Sequence, residues 1–355
     1  MDNEISPSNN LSNQIIKINN FPNKILFING WEGCGKTCVT NVFKSLDGVE
    51  NMKYSLEIEL LCHLWLSENL DLNSTATSIS LVADNIIYKL FQSREINIRP
   101  SDLSSIFRSP IWYKYIARLF SKGGEDCVSM ITHKTILNLV THNLFPCIQP
   151  LQKAFKNRLI FIEVTRDPIF MLSQLKYNQD KIYKHKSSPR NFILNYKKTG
   201  NPVIDGTTGF DDPTNDNWDS AMNFLERRFD HYFHYKKSPQ DQNSIQPIFI
   251  AFEDFVKDPF SYLDLITVKY NLHFNSKLNK LLKEENIPRT HHSDGKDRAI
   301  YRKVGWVKLT KKKKLIPERS SYIQHYNSIG VKRSVINRLL SLSDRYNQWK
   351  ITLNP

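Results

Sequence analysis

The sequence has few cysteines, few glycines and no long apolar run. Its five cysteines form an odd set without the spacing of metal ligands, which argues against a disulfide framework or a zinc site and favours a reducing cytoplasm. No run approaches the roughly 18 to 20 apolar residues of a membrane-spanning helix, and the polar N-terminus lacks the pattern of a signal peptide. We therefore expect a protein without a transmembrane segment.

Apolar residues and positive charge are abundant. With 40% hydrophobic and 12% aromatic residues, the 355-residue chain can bury a substantial core, which excludes disordered, collagen-like and coiled-coil proteins. Lys and Arg number 49 against 35 Asp and Glu, so the net charge is +14. This surplus indicates an anionic partner, and nucleotides, nucleic acid, acidic glycans and membrane surfaces all satisfy it.

The chain is predicted to form a flexible lead over 1–22 and one α/β domain over 23–355. Short apolar runs alternate with helical patterns, which is typical of a mostly parallel sheet with helices on both faces. The predicted strands are 25–28, 54–59, 128–132, 159–164 and 247–252. The predicted helices are 37–46, 135–155, 169–177, 219–235, 259–268 and 331–348.

Two stretches interrupt this alternation, one near 73–126, predicted to be largely helical, and one near 180–217. Insertions in such a sheet usually cover or shape the ligand cleft. Their polar and aromatic side chains are compatible with a carbohydrate ligand, although core packing explains aromatic residues equally well.

Residues 30–37 match the pattern G-x-x-x-x-G-K-[ST] in full, between a predicted strand and a predicted helix. The glycines let successive backbone N–H groups turn toward phosphate oxygens, and the helix N-terminus adds partial positive charge. Lys36 adds a full charge. The predicted phosphate-binding residues are Gly33, Cys34, Gly35, Lys36 and Thr37.

Three later motifs follow in order along the chain. Arg166-Asp167-Pro168 comes directly after a predicted strand, with Ser173 on the next helix. A Phe-Glu-Asp-Phe sequence at 252–255 leads to Asp-Pro at 258–259, and 302–306 read Arg-Lys-Val-Gly-Trp. Together with the phosphate loop, this order resembles the sulfotransferase family, which uses the donor 3′-phosphoadenosine 5′-phosphosulfate.

The resemblance implies a P-loop-like fold and a reaction that needs no metal. It implies that the phosphate loop binds the 5′-phosphosulfate. It also implies that the 3′-phosphate is bound by Arg166, Ser173, Arg302 and Lys303. Such a donor carries phosphate at two positions, so two separated anion sites are needed. The acceptor would be a hydroxyl group, with a carbohydrate as one candidate.

Sulfuryl transfer needs a base for the acceptor hydroxyl and a cation for the departing phosphate. Thr132-His133 follows a predicted strand and resembles the Lys-Thr-His segment with the catalytic histidine of cytosolic sulfotransferases. A neutral imidazole can accept a proton at physiological pH, so His133 is the predicted base. Glu57 and Glu59 are alternative bases, by resemblance to other branches of the family. Lys36 is the first candidate for the cation, and Lys134 is the second.

Two other functions remain open. In a nucleotide-dependent small-molecule kinase, Lys36 would bind the β- and γ-phosphates, Thr37 would bind Mg²⁺ and Glu253-Asp254 would complete the metal site. In a nucleic-acid-binding protein, the net charge of +14 would engage the phosphate backbone. The sequence shows no recognition helix, RNA-binding signature or aromatic-basic repeat, so no specific nucleic-acid partner is expected.

Overall fold

The computed structural model describes residues 17–18, 21–121, 123–180, 194–195, 197, 217–235, 246–296 and 318–353. The strands in these ranges are β1 (Lys24–Gly30), β2 (Lys53–Tyr54), β3 (Ile136–Val140), β4 (Leu159–Thr165) and β5 (Ile248–Ala251). The α-helices are α1 (Lys36–Phe43), α2 (Leu56–Leu66), α3 (Leu72–Phe91), α4 (Trp112–Leu119), α5 (Glu125–Ser129), α6 (Ile148–Phe155), α7 (Leu172–Asn178), α8 (Asn217–Tyr235), α9 (Phe252–Phe255), α10 (Pro259–Tyr270), α11 (Leu278–Glu284), α12 (Glu318–Ser328) and α13 (Arg333–Ile351).

The strands form one parallel sheet in the order β2-β3-β1-β4-β5, so the prediction of a parallel α/β sheet is confirmed. Strand β1 is central, and it pairs with β3 on one side and β4 on the other. All strands end at the same edge, which we call the carboxyl edge; the opposite one is the amino edge. The strand order reverses at β1, and in open α/β sheets ligands bind outside the carboxyl ends of the strands at such a point.

The central strands are buried on both faces. Ile25, Leu26, Phe27 and Ile28 are fully buried in β1, and all seven residues of β4 are buried. Burial of consecutive residues requires cover on both faces, and this explains the continuous apolar runs of β1 and β4 in the sequence. One cluster of buried apolar side chains extends along the chain from β1 to Trp349 of α13.

The predicted strand at 128–132 is wrong. Residues Glu125–Ser129 form helix α5, and the strand is β3, inside the segment 135–155 that was predicted as one helix. Periodicity alone does not distinguish a short buried strand from a buried helix. Pairing of β3 with β1 selects the strand here, and only the end of that segment is helical, as α6.

The predicted strand at 54–59 is also mostly wrong. Strand β2 ends at Tyr54, and the Ser55 hydroxyl then accepts a hydrogen bond from the Ile58 amide at 3.4 Å. This is a helix N-cap, and it starts α2 at Leu56. Glu57 and Glu59 therefore lie in the first turn of a helix.

The segment near 73–126 is largely helical, as predicted, and contains most of α3, α4 and the start of α5. Most of the insertion near 180–217, nearly all of the lead at 1–22, and Arg302 and Lys303 lie outside the described residues. In the ranges that are described, no helix is long and apolar enough to cross a membrane.

Candidate functional site

The phosphate-loop sequence joins the carboxyl end of β1 to the start of α1. Gly30 has φ +144°, and a Cβ there would lie 2.4 Å from the carbonyl oxygen of Val164. Gly35 has φ +99°, and a Cβ there would lie 2.2 Å from the Phe252 ring. Neither position has room for a side chain, so both glycines are required by the close approach of β4 and α9.

Lys36 lies at the centre of the site. Its side chain is 7% exposed, and its ammonium donates hydrogen bonds to the carbonyl oxygens of Gly30 and, at 2.8 Å, Thr141. Burial lowers the pKa of Lys36, while the nearby Glu32 and Glu59 act in the opposite direction. The ammonium thus lies between the carboxyl ends of β1 and β3, where it can bind an anion.

The remaining loop residues supply backbone groups and a hydroxyl. Cys34 is fully buried, and burial raises the pKa of its thiol to about 12. Such a thiol stays protonated, so Cys34 is not suited to be a nucleophile and can bind phosphate only through its backbone. Thr37, at the first turn of α1, is half-buried.

A Thr-His pair that the sequence interpretation passed over lies beside Lys36. Thr141, whose carbonyl oxygen accepts the Lys36 hydrogen bond, directly follows β3. The His142 backbone N–H donates to Glu59 Oε1 at 2.6 Å, and His142 Nδ1 lies 3.2 Å from the same oxygen. The His142 ring stacks on Tyr54 with centroids 6.1 Å apart. An imidazole held by a carboxylate is the arrangement of a general base.

The signal for this histidine was present in the sequence. Residues Ile136–Val140 form a short run that is apolar except for Asn138, directly before Thr141-His142, as expected for a buried strand that ends in a polar pair. Because the run was assigned to a helix, the earlier pair, Thr132-His133, was selected instead.

The structure does not bring His133 to the phosphate loop. It precedes β3, whose first residue pairs with Lys24 at the start of β1, so His133 lies at the amino edge. Strand β1 has seven residues at roughly 3.3 Å each, which separates the two edges by roughly 20 Å. His133 and Lys134 are both exposed. The prediction that His133 follows a strand and lies with the phosphate loop at the carboxyl edge is therefore wrong. Lys134 also lies at the amino edge, away from the phosphate loop.

The two alternative bases, Glu57 and Glu59, have different surroundings on α2. Glu59 points to His142, and its side chain is 15% exposed. Glu57 is exposed, and its carboxylate accepts a hydrogen bond from the Ser55 hydroxyl at 3.1 Å. Only Glu59 is brought to the Lys36–His142 group.

Glu32 adds a carboxylate inside the loop that the sequence interpretation did not consider. Burial alone would raise the pKa of Glu32, but the Arg228 guanidinium, His142 and Lys36 lower it to about 2. Arg228 Nη1 donates to Glu32 at 2.9 Å, and its guanidinium carbon lies 3.8 Å from the ring centroid of Trp31. This ion pair connects the phosphate loop to α8 and balances the negative charge of Glu32.

Arg166 follows β4 and reaches the other side of the loop. It is 3% exposed, and its Nη1 donates to the carbonyl oxygen of Gly33 at 3.0 Å. Its guanidinium lies over the rings of Phe252 and Phe170, at 4.8 and 5.2 Å. The Asp167 carboxylate instead accepts from the Ile169 amide at 3.0 Å and from Ser343. A positive charge is thus held beside the loop, next to Gly33.

Ser173 lies on α7 and is half-buried. Its hydroxyl donates to the oxygen of Tyr326 at 3.2 Å, and Tyr326 in turn donates to the Ile169 carbonyl oxygen at 2.8 Å. Burial raises the pKa of Tyr326 to about 12, although Ser173 and Arg166 act in the opposite direction. Ser173 is therefore part of a chain of hydroxyl groups that also connects α12 to this side of the site.

Other cations lie near Arg166. Burial, together with the charges of Arg166, Lys257 and Arg289, lowers the pKa of His292 to about 3 against the opposing effect of Glu318. The Arg289 guanidinium lies 5.7 Å from the Phe252 ring centroid, so Arg166 and Arg289 share one aromatic neighbour. The sequence interpretation had not selected Lys257 or Arg289. The site thus has a second positive region, distinct from Lys36.

The acidic pair of the kinase hypothesis does not reach the loop. Glu253 is buried, its Oε1 accepts from the Asp167 amide at 2.7 Å, and its Oε2 accepts from the Tyr346 hydroxyl at 3.2 Å. Burial and the neighbouring Asp167 raise the pKa of Glu253. Asp254 forms an ion pair with Lys350 at 3.0 Å. In the part of the chain that is described, no group of three or more His, Cys, Asp or Glu residues could bind a metal ion.

No protein-family model and no curated protein matches the chain. The functional interpretation therefore depends on the residues of the site.

Proposed function

We propose that this protein is a sulfotransferase that moves a sulfuryl group from 3′-phosphoadenosine 5′-phosphosulfate to an acceptor hydroxyl. One observation carries the proposal: Lys36 of the phosphate loop and the Glu59–His142 pair meet at the carboxyl ends of β1 and β3. The reaction requires one cation and one base close together, and these residues supply both. A carbohydrate hydroxyl is the first acceptor class to test.

The residues fit a donor with two phosphate positions. Residues Gly33–Thr37 would hold the 5′-phosphosulfate through backbone N–H groups and Lys36. The positive φ angles of Gly33 and Gly35 support this role, because they let the backbone turn sharply before α1. Arg166, with Arg289 nearby, would hold the 3′-phosphate. When bound, the donor supplies an activated sulfuryl group, and no metal ion is needed.

The chain's own residues then perform two tasks. His142 Nε2 accepts the proton of the acceptor hydroxyl as the acceptor oxygen bonds to sulfur and the bond from sulfur to the phosphate oxygen breaks. Glu59, at Nδ1, orients the ring and stabilises the positive charge that His142 gains. Lys36 stabilises the negative charge that develops on the departing phosphate.

The kinase alternative has less support. Its metal site was to be completed by Glu253 and Asp254, but β5 is separated from β1 by β4, and both carboxylates have other partners. As part of the proposal we place the protein in the cytoplasm, since an odd set of five cysteines without the spacing of metal ligands favours a reducing compartment.

The decisive experiment is calorimetric titration with adenosine 3′,5′-bisphosphate and with ATP, each with and without Mg²⁺. We expect the bisphosphate to bind more tightly than ATP and without metal. Transfer of labelled sulfate to a panel of glycans and phenols then tests the reaction. Equal affinity for both nucleotides, or an absolute requirement for Mg²⁺, would favour the kinase instead.

A further inference from the structure

Two neighbouring cavities lie at the amino edge of the sheet, away from the phosphate loop. Their volumes are about 420 Å³ and 520 Å³, and Lys44 and Lys277 line both. Lys44 follows the last residue of α1, and Thr132 and Lys134 precede β3, which fixes the position of the cavities at this edge. Neither cavity includes a residue of the proposed sulfuryl-transfer site.

Positive charge dominates the walls of these cavities. Eight cationic side chains line them, against four acidic ones. Glu50 and Arg118 form an ion pair at 2.7 Å and balance each other, which leaves seven cations against three acids. Of these acids, Glu285 accepts from Asn41 at 2.6 Å. The cationic residues are Lys44, Arg108, Lys114, Arg118, Lys134, Lys277, Lys280 and Lys296. An anionic ligand is the chemistry that such walls favour.

Exposed aromatic rings lie among these cations. Phe107, Trp112 and Tyr113 are 49%, 46% and 52% exposed, although large aromatic side chains are usually buried when they can be. The rings of Phe107 and Trp112 are 6.3 Å apart and tilted by 46°, and those of Trp112 and Tyr113 are 6.5 Å apart at 85°. The faces of these rings point in different directions. A ligand that stacks on more than one of them must therefore carry several rings that can be oriented independently.

The segment with these rings is fixed to the body of the protein by two lysines. Lys44 donates to the Arg108 carbonyl oxygen at 3.3 Å, and Lys277 donates to the Pro110 carbonyl oxygen at 2.8 Å. Tyr115, one helical turn after Trp112, is buried and donates to Glu50. The aromatic side chains are thus exposed on a backbone that is held in place, as a preformed binding surface requires.

We propose that this amino-edge surface binds single-stranded nucleic acid. It is defined by the rings of Phe107, Trp112 and Tyr113 and by the five exposed cations among the eight, which are Arg108, Lys114, Lys134, Lys280 and Lys296. Cationic grooves with aromatic residues on which successive bases stack are the physical basis of such binding. Bases in a duplex are stacked on each other and do not present separate faces, so a single strand fits the tilted rings. This function is independent of sulfuryl transfer.

The donors on the surface also favour a nucleic acid over a glycan. Lysine and arginine only donate hydrogen bonds, and a phosphodiester backbone mainly offers acceptors. Sugar hydroxyl groups need acceptors as well, and the acidic side chains that could supply them are outnumbered two to one by cations in these walls. The three rings lie in one segment together with Arg108, Lys114 and Arg118, and the fold brings the other five cations to it from separate parts of the chain.

The test is fluorescence anisotropy of the full chain with a labelled single strand of about 12 nucleotides, at several salt concentrations. Trp112→Ala should weaken binding by about 5- to 100-fold, and Trp112→Phe should restore most of it, since stacking requires only an aromatic face. Lys280→Glu with Lys134→Glu should make the salt dependence shallower, by about 0.7 in the log–log slope for each lost phosphate contact.

The matched control is Lys153→Glu, a reversal of an exposed lysine on α6, which should leave affinity nearly unchanged. The proposal is overturned if the strand does not bind, if Trp112→Ala binds it as tightly as the wild type, or if a sulfated polysaccharide outcompetes the strand at equal charge. Bisphosphate binding, measured on the same variants, reports on the sulfotransferase site separately.

Discussion

Strand β3 has a Thr-His pair near each end, and the two pairs have different surroundings. Thr132-His133 precedes the strand at the amino edge, with both residues exposed. Thr141-His142 follows the strand at the carboxyl edge, where the Thr141 carbonyl oxygen accepts from Lys36 and His142 contacts Glu59. The same dipeptide thus lies beside the amino-edge surface at one end of β3 and beside the phosphate loop at the other end.

The comparison shows that a functional motif depends on the direction of the strand beside it. In a parallel sheet, only residues after a strand reach the edge where the phosphate loop lies. A Thr-His pair that precedes the strand instead of following it lies at the opposite edge, about 20 Å from the phosphate loop. The predictions below test whether the two edges differ in function as they differ in geometry.

The largest expected effect separates the two histidines. His142→Ala should lower turnover by about 10² to 10⁴, because the acceptor hydroxyl loses its base, while bisphosphate affinity stays nearly intact. His133→Ala, the matched control at the other edge, should have nearly wild-type turnover. Steady-state sulfate transfer measures both variants, and circular dichroism confirms that they fold. A large loss in His133→Ala together with full activity in His142→Ala would reverse the assignment.

The two lysines beside these pairs provide the next test. Lys36→Ala should lower turnover by about 10²-fold, on the order of removing one preorganised charge donor. Lys134→Ala, at the amino edge, should not. Because Lys36 also bonds to the backbone of β1 and β3, thermal unfolding of each variant is the necessary control. Normal turnover in a folded Lys36→Ala protein would remove Lys36 from the mechanism.

Arg166 tests whether binding and chemistry can be separated at the carboxyl edge. Arg166→Ala should weaken bisphosphate binding by about 10- to 100-fold, the loss of a hydrogen bond to a charged group, with little change in turnover at saturating donor. Calorimetric titration measures the affinity. Arg166→Lys keeps the charge in case the buried truncation fails to fold. Wild-type affinity in folded Arg166→Ala would show that the 3′-phosphate binds elsewhere.

The two glutamates of α2 differ in their contact with His142. Glu59→Gln should lower kcat by about 10-fold or slightly more and leave the acceptor KM nearly unchanged, because the carboxylate acts on His142 and not on the acceptor. Glu57 is exposed and lies half a helical turn away, so Glu57→Gln is the control and should leave both kcat and the acceptor KM unchanged. Equal effects of both substitutions would mean that the helix, and not the contact with His142, matters.

The smallest effect concerns stability and needs no ligand. Burial raises the pKa of Glu163 to about 7, while its hydrogen bonds with Tyr232 and Asn29 act in the opposite direction. The folded state then holds this proton more tightly than the unfolded state, so the free energy of unfolding should fall as pH rises from about 4.5 to 7.

This fall should not exceed about 1.4 kcal/mol for each pH unit, the contribution of one proton. Urea unfolding at several pH values measures it, and Glu163→Gln should make the profile shallower in that window. An identical pH profile in the wild type and in Glu163→Gln would show that Glu163 is ionised in the folded protein.

The sequence predicted strands β1, β4 and β5 and the loop between β1 and α1. Apolar runs such as 25–28 and 159–164 have polar residues only at their ends, so their boundaries are visible. The run at 136–140 was misassigned because it is short and followed closely by the helical pattern of α6. Assigning it to the wrong element displaced the predicted base from one edge of the sheet to the other.

Several residues of the site had no signal in the sequence. Arg228 comes from α8, nearly 200 positions after Glu32, and Arg289 approaches Phe252 from the segment after α11. Neither residue belongs to a motif, since a guanidinium can balance a carboxylate or lie on a ring from any point in the chain. Only packing of these segments against the loop selects them.

The sequence alone determined that the chain is basic, has a glycine-containing loop between its first strand and first helix, and forms an α/β protein, because composition and strand-loop-helix order are local properties. The tertiary structure decided which edge each polar group reaches. Parallel pairing of β3 with β1 moves His142 to Lys36 and His133 away from it. The fold also brings cations from distant segments to the aromatic rings of 107–113 at the amino edge. These are relations between distant segments, and they exist only when the chain is folded.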